Sequence, residues 1–306
     1  MKRKIIFLIS ALIIAVMTSC NSTVSSDIGA GREISTAAAD TVADATDDTA
    51  IDAATDAATD AQTVESMPDT EKVGSQNTQP SDTELAVLSG NGNYRPKVFM
   101  YHLIRDETYG VYEGLFVRPS EFDQQLSILD ELGYEYLFAN EWRMTDKPSA
   151  IITLDDGYSD NYTDMLPILK KHGAKATVFV VTDLIGDDNY MTREQVRAMA
   201  DSGCVSIQSH TVHHYGLGGM DSESIRAEFK ESIEILESIT GQKVSSLAYP
   251  GGSFDDNVIS VARDFFDYAY TTKSPSTVTE YDFLTIPRYT VSRGCTKATF
   301  RSFASY

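Results

Sequence analysis

The sequence predicts an α/β protein built on a parallel sheet, a distorted and incomplete (β/α) barrel of about seven repeats. Three observations carry that expectation. From residue 94 onward, short β-branched apolar runs alternate with stretches of helical hydrophobic period, the pattern of βα units. One run, through Ile151, Ile152 and Leu154, is apolar enough to be a strand buried on both faces. It stops abruptly at Asp155, Asp156 and Gly157. Barrels and open parallel sheets keep their chemistry at the carboxyl ends of strands.

The elements follow in order. Lys97–Ile104 reads as a first strand. Ser120 is a helix cap with Asp123 three residues on, and Phe122, Leu126, Leu129 and Leu132 form one apolar face. Tyr134–Phe138 is a strand, and Ala150–Leu154 is the central one. A helix through Tyr162–Lys171 ends at Gly173, and Ala176–Thr182 is β-branched and extended. Thr192 to Gln195 is a capping box, opening a helix that stops at Gly203. Val205–Ser209 is a strand, and Ser222–Ile239 a long amphipathic helix closed by Gly241. A strand at Ser246–Tyr249, a helix near Val258–Phe266, strands at Tyr268–Thr272 and Leu284–Val291, and a last helix from Thr296 complete the series.

The amino-terminal part is different in kind. Residues 1–20 join Lys2, Arg3 and Lys4 to an apolar run from Ile5 to Met17 and then Thr18-Ser19-Cys20. That is the layout of a secretory signal rather than a spanning helix. Residues 21–93 are low in complexity, rich in Ala, Thr, Asp and Ser, and contain no aromatic residue. Such a stretch cannot bury enough apolar surface to offset chain entropy. It is expected to be a disordered acidic tether of roughly 45–50 Å root-mean-square span. The folded domain is then residues 94–306.

Charge supports the division. The 306-residue chain has a net charge of −20, of which residues 21–93 contribute −12 (14 acids, 2 bases) and residues 94–306 contribute −11 (31 acids, 20 bases). No basic patch points to nucleic acid, and an acidic surface repels a phosphate backbone. Cys204 and Cys295 lack metal-site spacing and are expected as unpaired, partly buried thiols, although export would permit a disulfide between them.

The chemistry is concentrated in a few residues. Ser209-His210-Thr-Val-His213-His214 follows a strand. His210 and His214, four apart, would share one face of a helical turn. With Asp156 they make a two-His, one-Asp set that leaves coordination positions open, the arrangement of a catalytic rather than a structural metal site. Zn²⁺ suits it, and Co²⁺, Ni²⁺ or Fe²⁺ would also be accepted. His213 is assigned no role.

Leu154-Asp155-Asp156-Gly157, His210-Thr-Val-His213-His214 and Tyr249-Pro250-Gly251-Gly252 resemble, in order and approximate spacing, the motifs of the polysaccharide deacetylases, carbohydrate esterase family 4 with its NodB homology domain. The resemblance covers about residues 96–300. It implies a distorted (β/α) barrel that hydrolyses acetyl groups from N-acetylated sugars, or O-acetyl groups from xylan, with a divalent metal. By position it implies Asp155 as general base and Asp156, His210 and His214 as metal ligands. The Pro250-Gly251 segment would supply an oxyanion-binding N–H, with Tyr249 and Pro250 at the substrate. The Met-Thr-Ser-Cys ending resembles a lipobox, implying acylation of Cys20, a membrane anchor facing outward, and secretion if the box is unused.

The departures from the family pattern are specific. Ala248 and Gly251 stand where many members have Arg and an aromatic residue, and no His follows His214 to act as general acid. His102, in Val98-Phe-Met-Tyr-His102, resembles the branch that deacetylates poly-β-1,6-N-acetylglucosamine and is the alternative proton donor. Arg288, in Ile286-Pro-Arg-Tyr289, could hold Asp155 ionised or form an ordinary ion pair. Trp142 and the loop Asp106–Leu115 could line a sugar groove. The expected function is therefore metal-dependent N-deacetylation of an extracellular or cell-wall polysaccharide, by a monomer. The alternatives are an O-acetyl esterase and a surface glycan-binding lipoprotein without turnover.

Overall fold

A computed structural model describes residues 93–108, 113–278 and 281–306. The expected signal, Cys20 and the acidic tether up to residue 92 lie outside the described residues, as does the centre of the Asp106–Leu115 loop. Among the described residues no helix is long and apolar enough to cross a membrane.

The strands are β1 (Lys97–Tyr101), β2 (Leu103–Ile104), β3 (Phe116–Val117), β4 (Glu135–Leu137), β5 (Ser149–Leu154), β6 (Ala176–Val180), β7 (Val205–Ser209), β8 (Ser246–Ala248), β9 (Tyr268–Tyr270) and β10 (Tyr289–Thr290). The main sheet is parallel, in the order β10-β1-β5-β6-β7-β8-β9, with β4 added on β5. Helices α1 (Pro119–Glu131), α2 (Leu166–His172), α3 (Arg193–Asp201), α4 (Ser222–Thr240), α5 (Asp256–Ala262) and α6 (Lys297–Ala304) follow the strands. This is a curled, incomplete (β/α) barrel, as the alternation predicted.

Strand alternation divides the interior into two layers. Ala150, Ile152 and Leu154 face the helices, as do Val178, Ile207, Leu247 and Ala269, and they pack against Phe122, Leu126, Val196, Phe229, Val258 and Phe300. The opposite parity faces the barrel axis. There Val98, Ile151, Phe179, Ala248, Tyr270 and Ile286 form a smaller apolar cluster. Asp155 has the parity of Ile151 and Thr153, so the register of β5 aims it along the axis.

The departures from expectation have local causes. Helix α1 starts two residues early, capped at Arg118 instead of Ser120, because Pro119 takes the first helical position and Glu121 accepts from the Arg118 N–H at 3.2 Å. Leu132 falls beyond the helix end and is exposed. The expected helix from Tyr162 opens as a wide turn at Asn161–Met165, where the Leu166 N–H reaches the Asn161 carbonyl. Pro167 follows and has no N–H for a normal ladder. The expected strand Leu284–Val291 is divided at Pro287. Ile286 pairs with Tyr270 of β9, and Tyr289 pairs with Phe99 of β1. One segment thus touches both ends of the sheet. Cys204 and Cys295 are half-buried and form no disulfide with each other.

Trp142 is 7% exposed, in the axial cluster and edge-on to Phe283. It fills the barrel floor instead of lining a sugar groove.

Candidate active site

Two acids leave the end of β5 together because the chain turns between them. Asp155 continues the strand, its N–H donating to the Tyr101 carbonyl at 3.0 Å. Asp156 adopts φ 75°, a left-handed conformation that Asp tolerates better than most residues. Gly157 follows at φ 84°, and a Cβ there would come within 3.2 Å of Val180. Strand alternation alone would send the second acid outward. The left-handed step returns it to the barrel mouth.

Asp155 is fully enclosed. Both its oxygens accept from Arg288, Nη1 and Nη2 each at 2.7 Å, and Arg288 also donates to Thr153 Oγ1 (3.1 Å) and through Nε to the Thr271 carbonyl (2.9 Å). Both side chains are buried, Arg288 at 0% exposure. Burial pushes the Asp155 carboxyl upward, but the Arg288 guanidinium and the neighbouring imidazoles outweigh it and hold the carboxyl below its usual range. Arg288 reaches the axis from the residue before β10, on the far side of β1. The sequence left two readings open for it, and the structure joins it to Asp155.

Asp156, His210 and His214 converge, with ligand atoms all within 4.8 Å of one another. The His pair is not on a helical turn. Residues 211–214 form a bent loop in which Thr211 and His214 have φ 66° and 58°. Side chains hold this shape. Ser209 Oγ accepts from the Thr211 N–H (3.1 Å), and Thr211 Oγ1 accepts from the His214 N–H (3.2 Å). Glu228 of α4 accepts from the N–H groups of Val212 (2.9 Å) and His213 (3.1 Å). The i, i+4 spacing therefore pointed to the right pair through the wrong backbone.

The donor set fits a divalent metal ion. His210 Nδ1 lies 2.7 Å from the Ala248 carbonyl, so Nδ1–H donates there and the Nε2 lone pair turns toward Asp156, 3.4 Å away. His214 Nε2 is 3.5 Å from the same Asp156 oxygen. Burial drives the Asp156 carboxyl upward, but the imidazoles facing it hold it far below the ordinary carboxylate range. One carboxylate oxygen and two imidazole nitrogens, gathered within 4.8 Å and with the outer nitrogen of His210 already hydrogen-bonded, suit Zn²⁺ and related ions.

His102 follows β1, whose last residue, Tyr101, is in register with Leu154. That puts His102 level with Asp155, on the axial parity of Val98 and Met100 and within electrostatic reach of Asp155, Asp156 and His214. Its carbonyl accepts from Asn161 Nδ2 at 2.9 Å, and the adjacent Asp160 accepts from the Ile104 N–H at 2.9 Å. Gly251 lies in the turn after β8, exposed, at φ 59°. The hydrogen bonds of that turn run from Gly252 to Tyr249 and from Ser253 to Pro250, leaving the Gly251 N–H outside them.

Tyr249 and Pro250, expected at the substrate, are instead buried. Tyr249 has the parity of Leu247, is 0% exposed, stacks on Phe254 at 4.8 Å and donates its hydroxyl to the Leu284 carbonyl (2.9 Å). Pro250 is buried beside it. Both support the Gly251 turn from beneath. The structure also sets Tyr158 within electrostatic reach of Asp156, its ring stacked on Tyr190 at 4.9 Å. Its position one residue after Asp155-Asp156-Gly157 was the available signal.

Comparison with known proteins agrees with this geometry. Residues 143–269 match the polysaccharide deacetylase family model. That span includes Asp155, Asp156, His210, His214 and Gly251, whereas His102 and Arg288 fall outside it. A Bacillus subtilis (strain 168) protein named as a polysaccharide deacetylase is 29% identical over 241 residues, covering 76% of this chain and 84% of the relative. The poly-beta-1,6-N-acetyl-D-glucosamine N-deacetylase of Staphylococcus epidermidis is 26% identical over 196 residues, covering 58% of this chain and 68% of the relative. The crystal structure of a Bacillus cereus polysaccharide deacetylase superposes with a TM-score of 0.62 at 28% identity, covering 69% of each chain. Over residues 143–269 this chain is a polysaccharide deacetylase domain, of the carbohydrate esterase family 4 (NodB homology) type.

Proposed function

We propose that this protein is a metal-dependent hydrolase that removes acetyl groups from N-acetylglucosamine residues of a polysaccharide outside the cell, with a poly-N-acetylglucosamine as the favoured type. The observation that carries the proposal is the pairing of two constellations at one barrel mouth. Asp156, His210 and His214 converge within 4.8 Å, and the adjacent Asp155 is held ionised by Arg288 at 2.7 Å.

Each side chain has a task in amide hydrolysis. Asp156, His210 and His214 would hold a divalent cation, whose chemistry when bound would be Lewis acidity toward the acetyl carbonyl and a water. Asp155 accepts the proton of the attacking water as general base. Arg288 keeps that carboxylate charged and fixes its plane. The Gly251 N–H donates to the developing oxyanion. His102, at the end of the neighbouring strand β1, protonates the departing amine. The likeness to the Staphylococcus relative supports the poly-N-acetylglucosamine class. Export with acylation at Cys20, and a tether over residues 21–93 holding a monomeric domain away from the membrane, complete the proposal.

The test is acetate release from N-acetylglucosamine oligomers by the full chain, first chelated and then supplied with one ion at a time. Release restored by Zn²⁺ or another divalent ion is the expected result. Cleavage of acetylated xylan alone would replace the amide with an ester, and silence with every ion and both substrates would refute the proposal.

A further inference from the structure

Among the described residues, the exposed large hydrophobic side chains are Leu132, Tyr215 and Tyr306. Leu132 closes the end of α1, and Tyr306 packs against Tyr94 and Tyr134. Tyr215 is 50% exposed and immediately follows the metal ligand His214. Its ring lies parallel to that of His213, with centroids 5.1 Å apart and planes 8° apart.

His213 is itself fixed. Its Nδ1 is 2.6 Å from Glu228 Oε1, while Glu228 Oε2 accepts from the Val212 and His213 N–H groups. Glu228 is 7% exposed, so its carboxylate is a buried anchor within α4. The chain beyond Tyr215 is fixed too. Gly218 N–H donates to Ser253 Oγ (3.2 Å) and Gly219 N–H to Asp255 Oδ2 (2.8 Å), which clasps this loop to the one carrying Gly251. Along the chain Tyr215 therefore lies between a metal ligand and a segment bonded to the loop that carries Gly251. One face of its ring is set against an anchored imidazole, and the other is available to solvent.

From this we infer that Tyr215 is a stacking platform for a pyranose ring of the glycan chain, at the subsite beside the sugar that loses its acetyl group. The inference rests on the deacetylase reading of the neighbouring site and adds a specificity residue to it. A pyranose chair with equatorial substituents presents a face of C–H groups, which pack on an aromatic plane. A ring already held by His213 and Glu228 loses little conformational freedom on binding. His213, which the sequence left without a role, becomes the support of that ring.

The experiment compares the full chain with Tyr215→Ala and Tyr215→Trp. Pentamers of N-acetylglucosamine in β-1,4 and β-1,6 linkage are titrated calorimetrically into chelated protein, and acetate release from the monomer and the pentamers is measured with metal present. Loss of one aromatic face should weaken pentamer binding about tenfold. In Y215A the pentamer KM should rise more than kcat falls, with a smaller change on the monomer, and Y215W should keep the wild-type values. Equal pentamer affinity in wild type and Y215A would overturn the inference. So would equal losses in Y215A and Y215W, or failure of the wild type to bind either pentamer. Tyr215-dependent pentamer binding without acetate release at any metal would refute the deacetylase reading while upholding the platform.

Discussion

The buried Arg288–Asp155 pair offers the sharpest test of how this site is held. Replacing Arg288 by Met removes four donated hydrogen bonds, two to Asp155, one to Thr153 and one to the Thr271 carbonyl. It leaves a carboxylate at 2% exposure without its bidentate partner. Breaking a buried pair from one side costs about 3–5 kcal/mol, because the remaining charge stays desolvated. With a slope of roughly 2–3 kcal/mol per molar urea for a domain of this size, the unfolding midpoint of R288M should fall by roughly 1–2.5 M. Urea unfolding in chelator measures this without a contribution from bound metal. The double variant D155L/R288M should be more stable than R288M alone, since both desolvated charges are gone. A midpoint within about 0.3 M of wild type for R288M, at unchanged slope, would refute the reasoning. So would a double variant whose loss equals the sum of the two single losses.

Four further outcomes follow from the same structure. Asp155→Asn and His102→Gln should each lower kcat for acetate release by about 10²–10⁴-fold, the usual range for a lost general base or acid; wild-type turnover in either would remove that residue from the mechanism. His210→Ala and His214→Ala should abolish Zn²⁺ retention by the purified protein, read by metal analysis with no substrate present, and retention at the wild-type level would remove them from the metal site. Burial raises the Asp160 carboxyl from the usual 3.8 to about 6, so the folded state binds the proton more tightly than the unfolded state. The associated stability is full below the unfolded value, is lost as pH rises to about 6, and the resulting cost above that is about 3 kcal/mol; Asp160→Asn should flatten that slope, and an unchanged slope would locate it elsewhere. Tyr249→Phe, which removes only the hydroxyl bond to Leu284, should lose about 1–2 kcal/mol of stability with kcat/KM retained, whereas a KM increase would return Tyr249 to the substrate.

What the sequence revealed and what it hid separate on one physical distinction. Period-two alternation and strand-end position are local, and they located β5, β7 and β8 within a residue or so and the acids and imidazoles at their ends. Contacts that join distant segments left no local trace. Arg288 meets Asp155 across 133 positions, and Glu228 fixes the His213 backbone from a helix whose apolar period gives no hint of a buried acid. Pro167 and Pro287 were visible, and their missing N–H groups could have foretold the wide turn and the divided strand.

Tyr249 shows that the same rule can mislead when applied only in part. Alternation along β5 places Asp155 on the axis with Ile151 and Thr153. Applied to β8, it places Ser246 and Ala248 on the axis and sends Leu247 and Tyr249 under the helices, where both are 0% exposed. Tyr249 was expected at the substrate by motif position, against its own parity. The residues that do escape parity, Asp156, Thr211 and His214, have φ of 75°, 66° and 58°. Each is a non-glycine residue in a conformation that costs on the order of 1 kcal/mol or more, and each is held by a hydrogen bond or a neighbouring loop. A side chain at this barrel mouth therefore has two routes to the site, axial parity or a left-handed step. Tyr249, with φ −72°, has neither.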